Sequence, residues 1–300
     1  VKVNRFSLKF CWFEGQGWLS FCLVMPQDKY IKVSNIKVHY WDEGNSDIPI
    51  ILVHGINANV SFWHKNFSAL AKTHRVIAID LLGFGDTDKP QVEYNVAMLA
   101  QFLDDFLRSL QIKHCYLVGH SLGGAVSLQF ALWFPNVVEK LVLVSPAGFT
   151  HKLPLIVRLG TLSFVRQLLK YIGKKLIAKA IYLYVYDQTC ITQEFLQNNY
   201  RIAQLPGTRR VLISLLRQNV NMHGIKKEII EPVMENLSKL TMPVLIIWGK
   251  NDKLLPVKNT QAALRLIPQA KLEIFDKCGH IPQLEHPEKF NQLVKSFVGV

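Results

Sequence analysis

A chain of 300 residues and 34.3 kDa can form one large domain or two ordinary ones, with a sizeable core. At 49% hydrophobic, 19% charged and 11% aromatic residues it is too apolar for disorder and too varied for a repeat array. The net charge of +13 comes with no nucleic-acid reader motif, so no nucleic-acid partner is expected.

Residues 1–30 read as an N-terminal extension whose aromatics (Phe6, Phe10, Trp12, Phe13, Trp18, Phe21) suit a hairpin or extra strand packed on the core. Its apolar stretch, 10–25, is broken by Glu14-Gly15-Gln16-Gly17, and the remainder falls short of the about 20 residues a bilayer span needs. No small-residue cleavage pattern follows, so a secretory signal is not expected. Five cysteines (Cys11, Cys22, Cys115, Cys190, Cys278) are scattered and form no CxxC. That pattern favours reduced thiols in a cytoplasmic protein over a disulfide scaffold or a metal site.

From residue 31 onward, short aliphatic runs alternate with helical segments. Strands are predicted over 36–41, 49–53, 75–79, 115–118 and 140–144, with helices over 96–110 and 124–133. The alternation resumes with strands over 244–247 and 271–275 and a helix over 259–266. Runs such as "PIILV" and "PVLIIW" are nearly continuous hydrophobics, as in a parallel sheet covered on both faces. The fold class is therefore α/β.

Between the two stretches, residues 149–237 show helical periodicity and few strand signals. Val165, Leu168, Leu169, Ile172 and Leu176 share a helix face, with Arg166, Lys170 and Lys174 opposite. We read this segment as a helical insertion within a core made of 31–148 and 238–300. It also carries the charge: residues 151–230 hold 13 Lys/Arg against 3 Asp/Glu, a net +10 that leaves +3 for the rest. Such a basic amphipathic segment suits a cover over a cleft or peripheral contact with an anionic membrane surface, and the first is the simpler expectation.

The chemistry concentrates at Gly119-His120-Ser121-Leu122-Gly123, a G-x-S-x-G after a predicted strand and before a helix. Small residues at 119 and 123 allow the tight turn that exposes the Ser121 hydroxyl, and His120 supports this elbow. The helix start offers the Leu122 N–H to a developing oxyanion, and Ile56, after the strand and turn of "ILVHGINAN", offers a second. A serine needs a base and a group to orient it. His280, in the loop after the last strand, is the candidate base, and Asp252, after "VLIIWGKN", the candidate acid. The order Ser121, Asp252, His280 is that of a hydrolase built on such an elbow. His54 reads as a structural hydrogen-bonding residue. Asp86 and Asp88 read as turn or cap residues, and Asp276 as a strand-end cap. The glycines of "DLLGFGDTDKP" lack phosphate-loop spacing.

Together "VHGINAN", "DLLGFGDTDKP", "GHSLGGAVSLQFA", "PVLIIWGKND" and "CGHIPQLEHPEKF" resemble the α/β-hydrolase superfamily, over about residues 30–148 and 238–298. The resemblance implies a mostly parallel eight-stranded sheet, a helical cap after strand six, and hydrolysis without cofactor or metal through an acyl-enzyme. A serine at 121 sets the chain apart from branches with an aspartate nucleophile. It is similar to small carboxylesterases, implying a small-molecule or lipid-like ester substrate, and to meta-cleavage-product hydrolases, which break a C–C bond with the same triad. The latter commonly carry an aromatic after the catalytic histidine, where this chain has Ile281. A binding protein on the same fold is the third reading.

Overall fold

The computed structural model describes residues 26–162 and 173–299. The aromatic extension before residue 26 and most of the helix face read at 165–172 lie outside the described residues. Eight strands form one sheet: β1 (Lys29–Val33), β2 (Ile36–Glu43), β3 (Ile50–Val53), β4 (Val76–Ile79), β5 (Cys115–His120), β6 (Val138–Val144), β7 (Val244–Gly249) and β8 (Lys271–Phe275). Their order across the sheet is β1-β2-β4-β3-β5-β6-β7-β8. Pairing is parallel from β4 through β8, while β2 runs antiparallel to both its neighbours.

The central strands "IILV", "VIAI" and "VLIIWG" are buried at every position because helices cover both faces. One face packs Ile51, Val53 and Leu117 against α2 (Val96–Ser109) and α3 (Leu122–Trp133). The other packs Ile50, Leu52 and Val118 against Trp63, Phe67 of α1 (Phe67–Ala71) and Phe290. Between β6 and β7 lie α4 (Leu155–Leu159), α5 (Lys174–Tyr184), α6 (Gln193–Gln204), α7 (Thr208–Asn219) and α8 (Lys227–Met234). After β7 come α9 (Thr260–Leu266), α10 (Pro282–Glu285) and α11 (Pro287–Val298). Among the described residues no helix is long and apolar enough to cross a membrane.

The inserted helices are anchored by polar contacts as well as packing. Arg201 of α6 makes a two-pronged ion pair with Asp86, at 2.8 and 2.6 Å, and Arg210 of α7 donates to the Lys89 carbonyl. Asp86 is thus a tie between insertion and core, not merely a turn residue. Asp88 accepts from the Lys37 amide, and Asp276 pairs with Lys250 at the surface rather than capping its strand. A separate cluster, Ala58, Phe62, Ile181, Phe195, Ile281 and Leu284, joins the insertion to the loops around His280.

Asp86 belongs to a buried polar chain. The Asp80 carboxylate accepts from the Asp86 and Val60 amides and from His39 Nδ1, while His39 Nε2 reaches Asp28 at 2.9 Å. Burial disfavours the imidazolium, but the hydrogen bonds to Asp28 and Asp80 outweigh it and raise His39 to about 9. The native state therefore holds a proton that an unfolded histidine releases near 6.5. This contribution is complete below pH 6.5 and is lost as pH rises through about 9. We expect the stability advantage over His39→Gln to shrink by about 2–3 kcal/mol across that window, measured by urea unfolding. Parallel pH curves for the two proteins would contradict this assignment.

Candidate active site

The loops after β3, β5, β7 and β8 converge at the carboxyl edge of the sheet, where α/β proteins place their ligands. At the end of β5, Ser121 has φ 54° and ψ −115°, a left-handed conformation unusual for a side-chain-bearing residue. The turn is held by the sheet and by α3. The Ser121 amide donates to the Val144 carbonyl at 3.0 Å, and its own carbonyl accepts from the Gly124, Ala125 and Ala147 amides. Strain of this kind persists only where surrounding bonds over-determine it. Glycine is required at both flanks. A β-carbon at 119 would run into Ser127 Oγ and the Gly123 carbonyl, and one at 123 into the Val53 and His54 carbonyls.

His280 Nε2 lies 3.0 Å from Ser121 Oγ, and His280 Nδ1 lies 2.7 Å from Asp252 Oδ2. The other oxygen of Asp252 accepts from the Leu254 and Leu255 amides, each at 2.8 Å. A carboxylate held this way can only accept, so Nδ1 carries the ring proton and Nε2 is left to accept the serine proton. All three side chains are buried.

Beneath them, two further histidines are neutral. Burial foremost, then the neighbouring His280, holds His120 well below the usual imidazole range, and its Nε2–H donates to the His280 carbonyl at 2.9 Å. Burial likewise lowers His54. Its Nδ1–H donates to the Gly55 carbonyl, and Nε2 accepts from the Leu81 amide. His120 thus supports the elbow, and His54 braces two loops.

Sequence reasoning misses Glu285. Its carboxylate accepts from the Gly279, Ile281, Tyr186 and Asp187 amides, tying the His280 loop to the end of α5. The signal for it was slight, an acidic residue in the first turn of a short helix begun by proline. The His280 amide itself donates to the Tyr184 carbonyl at 2.6 Å. This second tie from the insertion leaves no trace in side-chain chemistry.

Gly55 sits so close to the elbow that a β-carbon on it would lie 3.0 Å from Ser121 Cβ. The loop therefore brings Ile56 beside Leu122 at the wall of the cavity that contains Ser121 and His280. Neither the Ile56 nor the Leu122 amide donates to another described residue. The cavity encloses about 1180 Å³ and is lined chiefly by aliphatic side chains from both core and insertion, among them Leu122, Val157, Ile181, Ile202, Leu216 and Ile230. Among the described residues, the one His/Asp grouping close enough to share an ion is His39, Asp80 and Asp86. Its atoms are already engaged with one another and with Arg201.

Comparison with known proteins agrees with this architecture. A family model described as the alpha/beta hydrolase fold matches residues 48–287. A 2-hydroxy-6-oxononadienedioate/2-hydroxy-6-oxononatrienedioate hydrolase of Burkholderia vietnamiensis is 31% identical over 288 residues, covering 90% of this chain and 95% of that one. An uncharacterised protein of Mycobacterium tuberculosis is 33% identical over 261 residues, 83% of this chain and 74% of that one. Among solved structures, a meta-cleavage product hydrolase from Pseudomonas fluorescens superimposes with a TM-score of 0.77 at 26% identity, covering 90% of this chain and 97% of that one. With its sheet order, strained serine and family match in agreement, the chain belongs to the α/β-hydrolase fold family.

Proposed function

We propose that the protein is a serine hydrolase that cleaves a carboxylic ester with an apolar acyl chain, through an acyl-enzyme. The supporting observation is the Ser121–His280–Asp252 hydrogen-bonded chain in an aliphatic cavity of about 1180 Å³. In this reading Ser121 Oγ attacks the ester carbonyl as His280 Nε2 takes its proton. Asp252 fixes the imidazole tautomer and stabilises the imidazolium. The Ile56 and Leu122 amides receive the oxyanion, and His280 then returns the proton to the departing alkoxide. Water repeats the sequence to release the acid. Helices α4–α8 act as a cap that supplies the acyl-binding wall and excludes bulk water.

A second reading, C–C bond hydrolysis of a vinylogous diketo acid, is favoured by the names of the relatives. The carboxylate of such a substrate calls for a cation in the pocket. Among the described lining residues the cations are Arg209 and Arg210, both exposed, and the Arg210 guanidinium is engaged by the Lys89 carbonyl. The aliphatic lining is what favours the ester.

The test is hydrolysis of p-nitrophenyl esters from acetate to palmitate, with fluorophosphonate labelling of Ser121. We expect turnover that rises beyond acetate to a peak set by the cavity. Labelling without turnover of any ester, together with fast cleavage of a dienoate, would replace this reading by the second. Neither turnover nor labelling would overturn hydrolysis in favour of a binding protein.

A further inference from the structure

The outer face of the insertion is built against the ordinary rule for a surface helix. Ile181 of α5 is buried, with Ile177, Ala178 and Tyr182 packed beside it, so this face already satisfies the amphipathic requirement. Leu176 and Leu183, a helical repeat apart on the opposite face, are nonetheless each 53% exposed, and Tyr186 just beyond is 51% exposed. Leu155, at the start of α4, is 55% exposed. Among the described residues nine large hydrophobic side chains are exposed, and five of them lie between β6 and β7. Scattered exposed leucines need no explanation, but this concentration does.

Two other observations give the patch an occupant. Lys175 and Lys179 alternate with the leucines on the exposed face of α5, and Lys152 stands exposed just before α4. Among the described residues the ion pairs of the insertion are made by His151, Arg201 and Lys227 instead. Secondly, the patch adjoins the wall of the cavity. Leu176 is both half-exposed and part of the cavity lining, and Val157 and Gly160, shortly after Leu155, line it too.

We propose that the exposed face of α5 and the start of α4 dock on an anionic lipid bilayer, with the cavity wall at Leu176 and Val157 turned towards the membrane. Leucines and a tyrosine enter the interface while the lysines reach lipid phosphates and carboxylates, the pattern of an interfacial amphipathic surface. A second copy of this chain is the poorer occupant, because it would set one +10 segment against another. The docking requires no particular bond to be cleaved, so it stands apart from the ester reading.

The test is co-sedimentation of the full chain with vesicles of phosphatidylcholine alone and of phosphatidylcholine mixed with phosphatidylserine. Binding is expected on the anionic vesicles, weaker binding on the neutral ones, and release as salt is raised. Two double variants, Leu183→Asp/Tyr186→Ser and Lys175→Glu/Lys179→Glu, should each lower the partition coefficient by about tenfold, with unchanged thermal unfolding. None of these four residues lines the cavity. Absence of binding to anionic vesicles, indifference to lipid charge, or wild-type binding by both double variants would each overturn the proposal.

Discussion

Ser121→Ala is expected to lower turnover of the best ester by about 10⁴-fold or more while leaving the unfolding transition in place. In the proposed mechanism the hydroxyl is the atom that forms the acyl bond, and among the described residues it is the side-chain group that His280 Nε2 engages. Its removal costs the fold little, because the elbow is held by the backbone bonds of residue 121 and not by its side chain. His280→Ala should cost about as much, and the double variant no more than either alone, since the two act as one unit. Multiplied losses in the double variant, or activity retained in Ser121→Ala, would show that the hydrogen bond at 3.0 Å is not the catalytic one.

The second large effect is structural. Gly123→Ala places a β-carbon against the Val53 and His54 carbonyl oxygens, where β3 passes under the first turn of α3. Both atoms are backbone, so no rotamer change relieves the contact, and either β3 or α3 must move. We expect a loss of about 3 kcal/mol or more, with turnover falling further as the Ile56 loop separates from Leu122. Gly173→Ala is the control, because a β-carbon there has nothing within 4 Å. Thermal unfolding and soluble yield read both variants. Equal behaviour of the two proteins would refute the steric account of the elbow.

The seven strands that the sequence predicts lie within two residues of those observed, and the plainest are the central parallel ones, which must be apolar throughout. The sheet's first strand does not announce itself. "KYIKV" alternates exposed and buried positions at an edge, and it crosses residue 30, where the sequence reading ends the extension. Serine, histidine and aspartate could be picked from chain order and from their places after strands. Glu285 could not, since its four amide partners come from two segments about 100 residues apart and only the fold brings them together. Asp86 was hidden for the same reason, as its partner Arg201 lies 115 residues away.

The two ties from the insertion to the histidine loop bear on how molecules reach the serine. The Tyr184 carbonyl grips the His280 amide, and Glu285 holds the Tyr186 and Gly279 amides together. Any hinge that lifted the end of α5 away would also release the imidazole from its alignment. This side of the insertion is a wall, not a door. A route of entry that leaves this wall seated keeps the imidazole aligned with Ser121 throughout.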